Sequence, residues 1–354
     1  MIRLSMLQLR VQAITAAVAL IAFAVLLAAT GPHLASLYAA SGLRGCQPAS
    51  CGQRASSFLQ QVDSTSPYAA VNPLSIILIA LTPAVIGLFW GAPLLARELE
   101  TGTFALAWSQ SVTRARWLAV KLTVGGLAAV AVTEALSLLF AWWAAPLGQA
   151  AGLGGSGNGL AMNRFSPLAF VTHGITPLGY AAFAFTLGVT AGALIRRTVP
   201  AMAVTLAIFA ALQIAMPLWI RPNLFPASHT TVAVTSETTL NLYRTDSPHT
   251  FTFTLAAEGI PGQPWAWIRS SGAADAAGHP VSTVVPSACS PAASRSGPGP
   301  ALANCLASRG LRIAVTYQPA SRYWPFQWIE TALYLVLALA LAGYCFRRLG
   351  RRLS

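Results

Sequence analysis

Charge is what this sequence has least of. Aspartate and glutamate together number nine in 354 residues, lysine occurs once, at Lys121, and all charged residues make up 9% of the chain. A soluble globular chain carries about a quarter charged residues, so most of this one cannot clothe a surface facing water. The 55% hydrophobic fraction and the mean hydropathy of +0.60 say the same. The chain reads as an integral membrane protein in contact with the lipid bilayer. The lack of lysine also excludes a phosphate-binding loop of the GxxxxGK type, because Lys121 follows Arg116-Trp117-Leu118-Ala119-Val120 rather than glycines. The five histidines (His33, His173, His229, His249 and His279) show no HExxH spacing and no cluster with cysteine. No metal site, no cofactor and no catalytic machinery is therefore expected.

What charge there is has one sign, with a net value of +13. Its placement decides what it means. With the six spans proposed below, and with Lys121 and Glu330 near span ends counted with the adjoining side, twelve of the 22 basic residues fall on short loops and tails against two acids, and ten fall on three longer segments against six acids. An excess of Lys/Arg in short loops marks the cytoplasmic side. The basic balance thus reports orientation, with both termini in the cytoplasm, and implies no nucleic-acid partner.

Residues 11–30 form the first apolar run, long enough to cross a bilayer at about twenty residues. It exceeds a signal-peptide core and ends in no clean small-x-small site, so an uncleaved span is expected. Residues 31–73 read as a polar outer loop. The second span, Leu74 to Leu95, contains Pro83, Gly87, Gly91 and Pro93, and a kink is expected where proline frees carbonyls that hydroxyls such as Thr82 must satisfy. The third span, about Leu118 to Ala145, begins after a cap at Thr113. Arg114, Trp117 and Lys121 share one face there and read as an interfacial anchor, with Trp142 and Trp143 as the outer belt. The fourth span, about Leu168 to Ile195, carries Gly188-x-x-x-Gly192, a spacing that permits close helix contact. Arg196-Arg197 turns into the fifth span, Val199 to Ile220. The sixth, about Phe326 to Phe346, opens on the aromatics Tyr323, Trp324, Phe326 and Trp328 and is followed by a basic tail.

Three divisions result: 1–220 with five spans and a cytoplasmic segment at 96–117, an extracytoplasmic insert at 221–325, and 326–354 with the last span. The fold class is an all-α polytopic membrane protein with a small β-rich domain between helices 5 and 6. Alternation of Phe251, Phe253 and Leu255 with threonines, and of Leu311, Ile313, Val315 and Tyr317 with polar or small residues, predicts two strands in the insert. Residues 286–300, rich in Ser, Pro, Gly and Ala, read as a loop. Cys46, Cys51, Cys289 and Cys305 all fall on the outer side, where disulfides persist. Of three possible pairings the local ones are simplest, and a bridge across 289–305 would contribute about 3 kcal/mol on the loop-entropy model.

Glu134, in the middle of the third span, carries a cost of about 2.5–3.5 kcal/mol on insertion scales and should face the bundle or an aqueous cavity. It marks a substrate path or gating contact, or else is a neutral carboxyl paired with a residue such as Gln213. Gly154-Gly155-Ser156-Gly157 resembles the Gly-x-Ser-Gly of intramembrane serine proteases, with His173 a possible partner, but its glycines suit a flexible linker better. Glu98 and Glu100 fall in the charged turn between the second and third spans. By spacing alone they form surface ion pairs with Arg97 or Arg114, or a docking surface for a soluble partner.

Leu95 to Thr103, then Trp108 to Arg114 and Trp117 to Lys121, resemble the turn after the second span in permeases of the type-2 ABC exporter class, most closely an actinobacterial branch. Gly192 to Arg197 and Pro319 to Gln327 also look like that branch. The resemblance implies a six-helix permease half that moves an unknown substrate across the cell membrane. ATP would be bound by a separate ABC ATPase subunit, and two permease halves, identical or different, would assemble with two ATPases. It places the ATPase-coupling segment at 97–117, with Arg97, Glu98, Glu100, Thr101, Gly102, Thr103, Gln110, Arg114 and Arg116 as its contact residues. The insert of about a hundred residues departs from the short outer segments of the best-known members. A membrane-anchored sensor or scaffold displaying that insert is the alternative from another class.

Overall fold

The protein is described from a computed structural model, which defines residues 10–46, 48–102, 113–153, 163–235, 239–244, 251–257, 259–285, 289 and 300–351. Among the described residues six helices are long and apolar enough to cross a membrane: Arg10–Ala40, Tyr68–Thr101, Ala115–Gly152, Thr176–Ile195, Thr198–Asn223 and Ala320–Arg348. They are called the first to sixth spans. One end of the bundle bears β-strands (the sheet end) and the other bears the turn after the second span (the turn end).

The fourth span is the hub. It is buried along nearly its whole length and packs against all the later spans as well as the second and third. Small residues make this possible. A Cβ on Gly188 would meet Gly87 O at 2.2 Å, and one on Gly192 would meet Ala92 O at 2.4 Å. The helices cross where only glycine lets their backbones approach, as the Gly188-x-x-x-Gly192 spacing predicts. Opposite this crossing the second span adopts a π-turn, Gly87–Gly91, closed by Ala92 N–H donating to Gly87 O. Thr82 Oγ1 donates to Leu78 O at 2.7 Å, one residue short of Ile79, the carbonyl that Pro83 leaves without its usual donor.

Several sequence expectations change. The first span runs on through Pro32 to Ala40, and the third to Gly152. At about 1.5 Å per residue each outreaches a hydrocarbon core of about 30 Å. Their projecting turns are covered by a helix at Pro48–Ser64, inside the segment read as a polar loop. Its buried face is Ala55, Phe58, Leu59 and Val62, a 3.6-residue period inside a polar composition. The fourth span starts at Thr176 rather than Leu168, because a short helix, Pro167–Thr172, breaks at His173 and at Gly174, whose φ is 75°. Trp143 belongs to the core, 1% exposed with its Nε1 donating to Thr30 Oγ1 at 2.9 Å, whereas Trp142 is exposed as a belt residue should be. Tyr323 and Phe326 are buried too, which leaves Trp324 and Trp328 as the exposed aromatics at the entry to the sixth span.

Between the fifth and sixth spans lie five strands: β1 (Ser228–Ala233), β2 (Thr239–Arg244), β3 (Phe251–Ala256), β4 (Trp267–Ala274) and β5 (Arg312–Gln318). β5 is the centre of an antiparallel β1-β5-β4 sheet, with Thr230 opposite Val315, and β2 pairs with β3 in a separate antiparallel ribbon. Phe253, Leu255, Ile313 and Val315 point into one apolar cluster, the faces that alternation predicts. A helix, Pro300–Ser308, borders this cluster and begins at the last residue of the stretch read as a loop, most of which lies outside the described residues. Cys289 and Cys305 are bonded beneath it with Cα atoms 5.8 Å apart, and Cys46 is bonded to Cys51 at 6.2 Å.

Candidate functional site

The turn end begins where Ala92–Thr101 continues the second span. Ala92, Leu95 and Ala96 are buried, and Ala92 and Ala96 lie under Gly188 and Gly192. This fixes which way the next residues point. Arg97 is exposed; Glu98 turns back and accepts a hydrogen bond from Lys121 Nζ of the third span. Lys121 is itself 2% exposed and stacks 4.5 Å over the Trp117 ring. Trp117 and Lys121 therefore face the bundle rather than the membrane interface expected of them, and the Arg114 side chain lies outside the described ones. Glu100 reaches the start of the fifth span, accepting from Thr198 N at 3.2 Å and from Thr198 Oγ1 at 2.8 Å, so it satisfies donors a helix start leaves unpaired. Thr101 Oγ1 donates to Arg97 O at 2.8 Å, and Gly102 ends the helix in the left-handed region at φ 73°.

Thr103 and Gln110 lie outside the described residues. The chain is described again at Thr113, whose Oγ1 accepts from Arg116 N at 3.4 Å and caps the third span's helix. Arg114 opens that helix and Arg116 is exposed. Among the described side chains the two acids have partners that spacing did not suggest, Lys121 for Glu98 and Thr198 for Glu100. Glu98 joins the second span to the third, and Glu100 joins it to the fifth. The described residues on either side, ending at Gly102 and resuming at Thr113, are capped and internally bonded helix ends.

Glu134 lies partly buried in the third span. The suggested pairing with Gln213 is not made, since among the described residues neither Glu134 Oε2 nor Gln213 Oε1 has a hydrogen-bond partner. Ser156 lies outside the described residues. His173 Nδ1 is engaged with Thr172 Oγ1 and Ala169 O at the break before the fourth span. Among the described residues no three His, Cys, Asp or Glu side chains come together to hold a metal. A cavity of 210 Å³ opens among the first three spans near the turn end, lined by Gln12, Ala13, Ala16, Trp90 and Val132 among others, and it presents almost no polar surface.

The concentration of buried charge is at the sheet end, where sequence reasoning had placed ordinary outer residues. Arg221 lies in the last turn of the fifth span and Glu330 in the sixth, and both are 0% exposed. Arg221 Nε and Nη2 donate to Glu330 Oε2 and Oε1, each at 3.0 Å, and its guanidinium lies 3.8 Å over the Phe170 ring. Tyr180 of the fourth span donates to Glu330 Oε1. One turn earlier, Gln327 Oε1 accepts from Ile175 N at 3.1 Å and Thr176 N at 3.0 Å, so a side chain of the sixth span caps the fourth. The signal was present in the spacing of Tyr323, Phe326, Gln327, Glu330 and Tyr334, which fall on one helical face and are all buried.

A family model described as ABC-2 membrane transporter related matches residues 17–221. The chain belongs to that family. The match takes in the first five spans, the turn after the second and both glycines of the helix crossing, and it ends at Arg221. This ABC-2 protein is a multi-pass membrane transporter permease, a class that works with an ABC ATPase. Comparisons with curated proteins and with solved structures return no match.

Proposed function

We propose that the chain is the membrane-spanning subunit of an ATP-driven exporter, and that a separate ABC ATPase takes hold of the turn between the second and third spans. The observation that carries this reading is the two-sided anchoring of that turn. Glu98 and Glu100 bind the turn's stem to the third and fifth spans, and the glycine crossing binds it to the fourth. A push on the turn is therefore delivered to four spans at once. Arg97 and Arg116, both exposed, belong to the surface offered to the ATPase; Glu98 and Glu100 act from behind it. The turn end and both termini face the cytoplasm, where the Arg-rich short loops belong. The sheet-bearing insert, 221–325, stands outside the membrane. Two such halves with two ATPases complete the transporter, and ATP is bound by the partner chains.

A pull-down from detergent-solubilised membranes tests this, using the intact protein and a Glu98→Arg/Glu100→Arg variant of the same size-exclusion profile. A P-loop ATPase that co-purifies with the intact protein and is lost from the variant supports the reading and its coupling site. No ATPase with either protein overturns it in favour of a membrane sensor displaying the insert.

A further inference from the structure

Arg221 and Glu330 need a reason to be where they are. Removing two ions from water is expensive, and apolar residues of similar volume are often as stable or more so. Stability therefore does not account for the pair, and its geometry suggests another use. The fifth span ends in a π-turn, Met216–Ile220, closed by Arg221 N–H donating to Met216 O. The extra residue rotates Arg221 away from the position an α-helix would give it, and toward Glu330. Beside it Pro222 O accepts from Arg269 Nη1 of β4 at 2.7 Å. A continuous set of contacts thus runs from the sheet through the 221–222 turn to the sixth span, and through Tyr180 to the fourth. At its other end the fourth span crosses the π-turn of the second, directly above the stem of the coupling turn.

We propose that Arg221, Glu330 and Tyr180 are positioning residues that lock the fourth span to the sheet-bearing insert. Displacement of the coupling turn then reaches the insert through one helix. The inference rests on the permease reading above for the displacement, but not for the lock itself. Each end of the path has a π-turn, a place where a helix can change register and so hold two arrangements, as transmission between distant sites requires. Arg221 Nη1 has no partner among the described residues, which leaves both N–H donors of that nitrogen free to re-pair when the turn changes register.

The test uses the full-length protein in detergent and a Tyr180→Phe/Arg221→Met/Glu330→Met variant, which removes both charges and the hydroxyl but keeps the packing volume. The variant is expected to melt at or above the wild-type temperature, while amide exchange over 176–182 and 221–224 quickens about tenfold. With the co-purifying ATPase, binding is expected to persist while permease-dependent ATP turnover falls about tenfold. Wild-type exchange and wild-type turnover in a folded variant would reduce the cluster to packing and overturn the proposal. If the triple variant does not fold, Arg221→Lys replaces it: it keeps the charge and loses the fork, and the same two readouts decide. Absence of any ATPase from the wild-type sample defeats the permease reading alone, because the exchange comparison needs no ATPase.

Discussion

Two ion pairs join spans among the described residues, one at each end of the bundle, and they are built for different duties. At the sheet end a guanidinium fork meets a carboxylate through two hydrogen bonds, with side-chain exposures of 1% and 0%. At the turn end a lysine makes one contact with Glu98, and the exposures are 3% and 17%. The fork is planar and directional, so it fixes an angle as well as a distance. The ammonium is a point charge on a flexible stem and tolerates rotation of its partner. The coupling proposed above calls for this distribution: compliance where the push arrives, rigidity where it is passed on.

The contrast predicts unequal costs. Glu330→Gln leaves a cation buried with half its partner gone, and about 3–5 kcal/mol of stability should be lost. Lys121→Met keeps the packing on Trp117, and Glu98 retains access to water, so about 1 kcal/mol is expected. Thermal unfolding of both variants in one detergent gives the comparison. Equal losses would mean that the two ends are equally rigid, and the division of labour would fail.

How much of this was legible beforehand follows from the range of the interactions. The six spans needed only a local count of apolar residues, and the faces of β3 and β5 needed only alternation. Gly188 and Gly192 announced a close crossing because nothing but a neighbouring backbone makes use of two bare positions four apart. The helix Pro48–Ser64 was hidden by composition: its buried Cys51, Ala55, Phe58, Leu59 and Val62 are diluted by Gln, Ser, Asp and Arg, and the average says loop where the period says helix. The partners of Glu98 and Glu100 were missed because they come from other spans, 23 and 98 residues away. Arg221 and Glu330 are separated by 109 residues and meet only because a π-turn rotates one of them inward. No window of sequence displays such a rotation, so both were counted among outer charges.

The crossing that links the two ends gives a second, smaller test. Gly188→Ala puts a Cβ at 2.2 Å from Gly87 O, a backbone atom that cannot swing aside. The helices must separate, at a cost of about 1–3 kcal/mol, the range for overpacked sites. Gly343→Ala, in the sixth span where a Cβ meets nothing within 4 Å, should instead be neutral or stabilising by up to about 1 kcal/mol through helix propensity. The pair of melting temperatures separates a steric crossing from a general intolerance of change in the membrane. If Gly188→Ala melts with Gly343→Ala, the fourth span does not carry the path between the two ion pairs.

The smallest effect belongs to a carboxylate at the sheet end that faces water instead of a buried arginine. Asp275 Oδ1 accepts from His279 N and Ala277 N, each at 2.9 Å, and these bonds hold its carboxyl below the ordinary aspartate range. The folded pKa is depressed, so the contribution is present above the unfolded value and is lost as pH falls through the folded one. The 275–279 turn should therefore keep its protection down to about pH 4 and loosen only below it. Amide exchange of Ala277 and His279 against pH measures this, with Asp275→Asn as the control that removes the dependence. Loosening that starts well above that pH, or that persists unchanged in Asp275→Asn, would mean that the two backbone bonds to Asp275 do not close the turn.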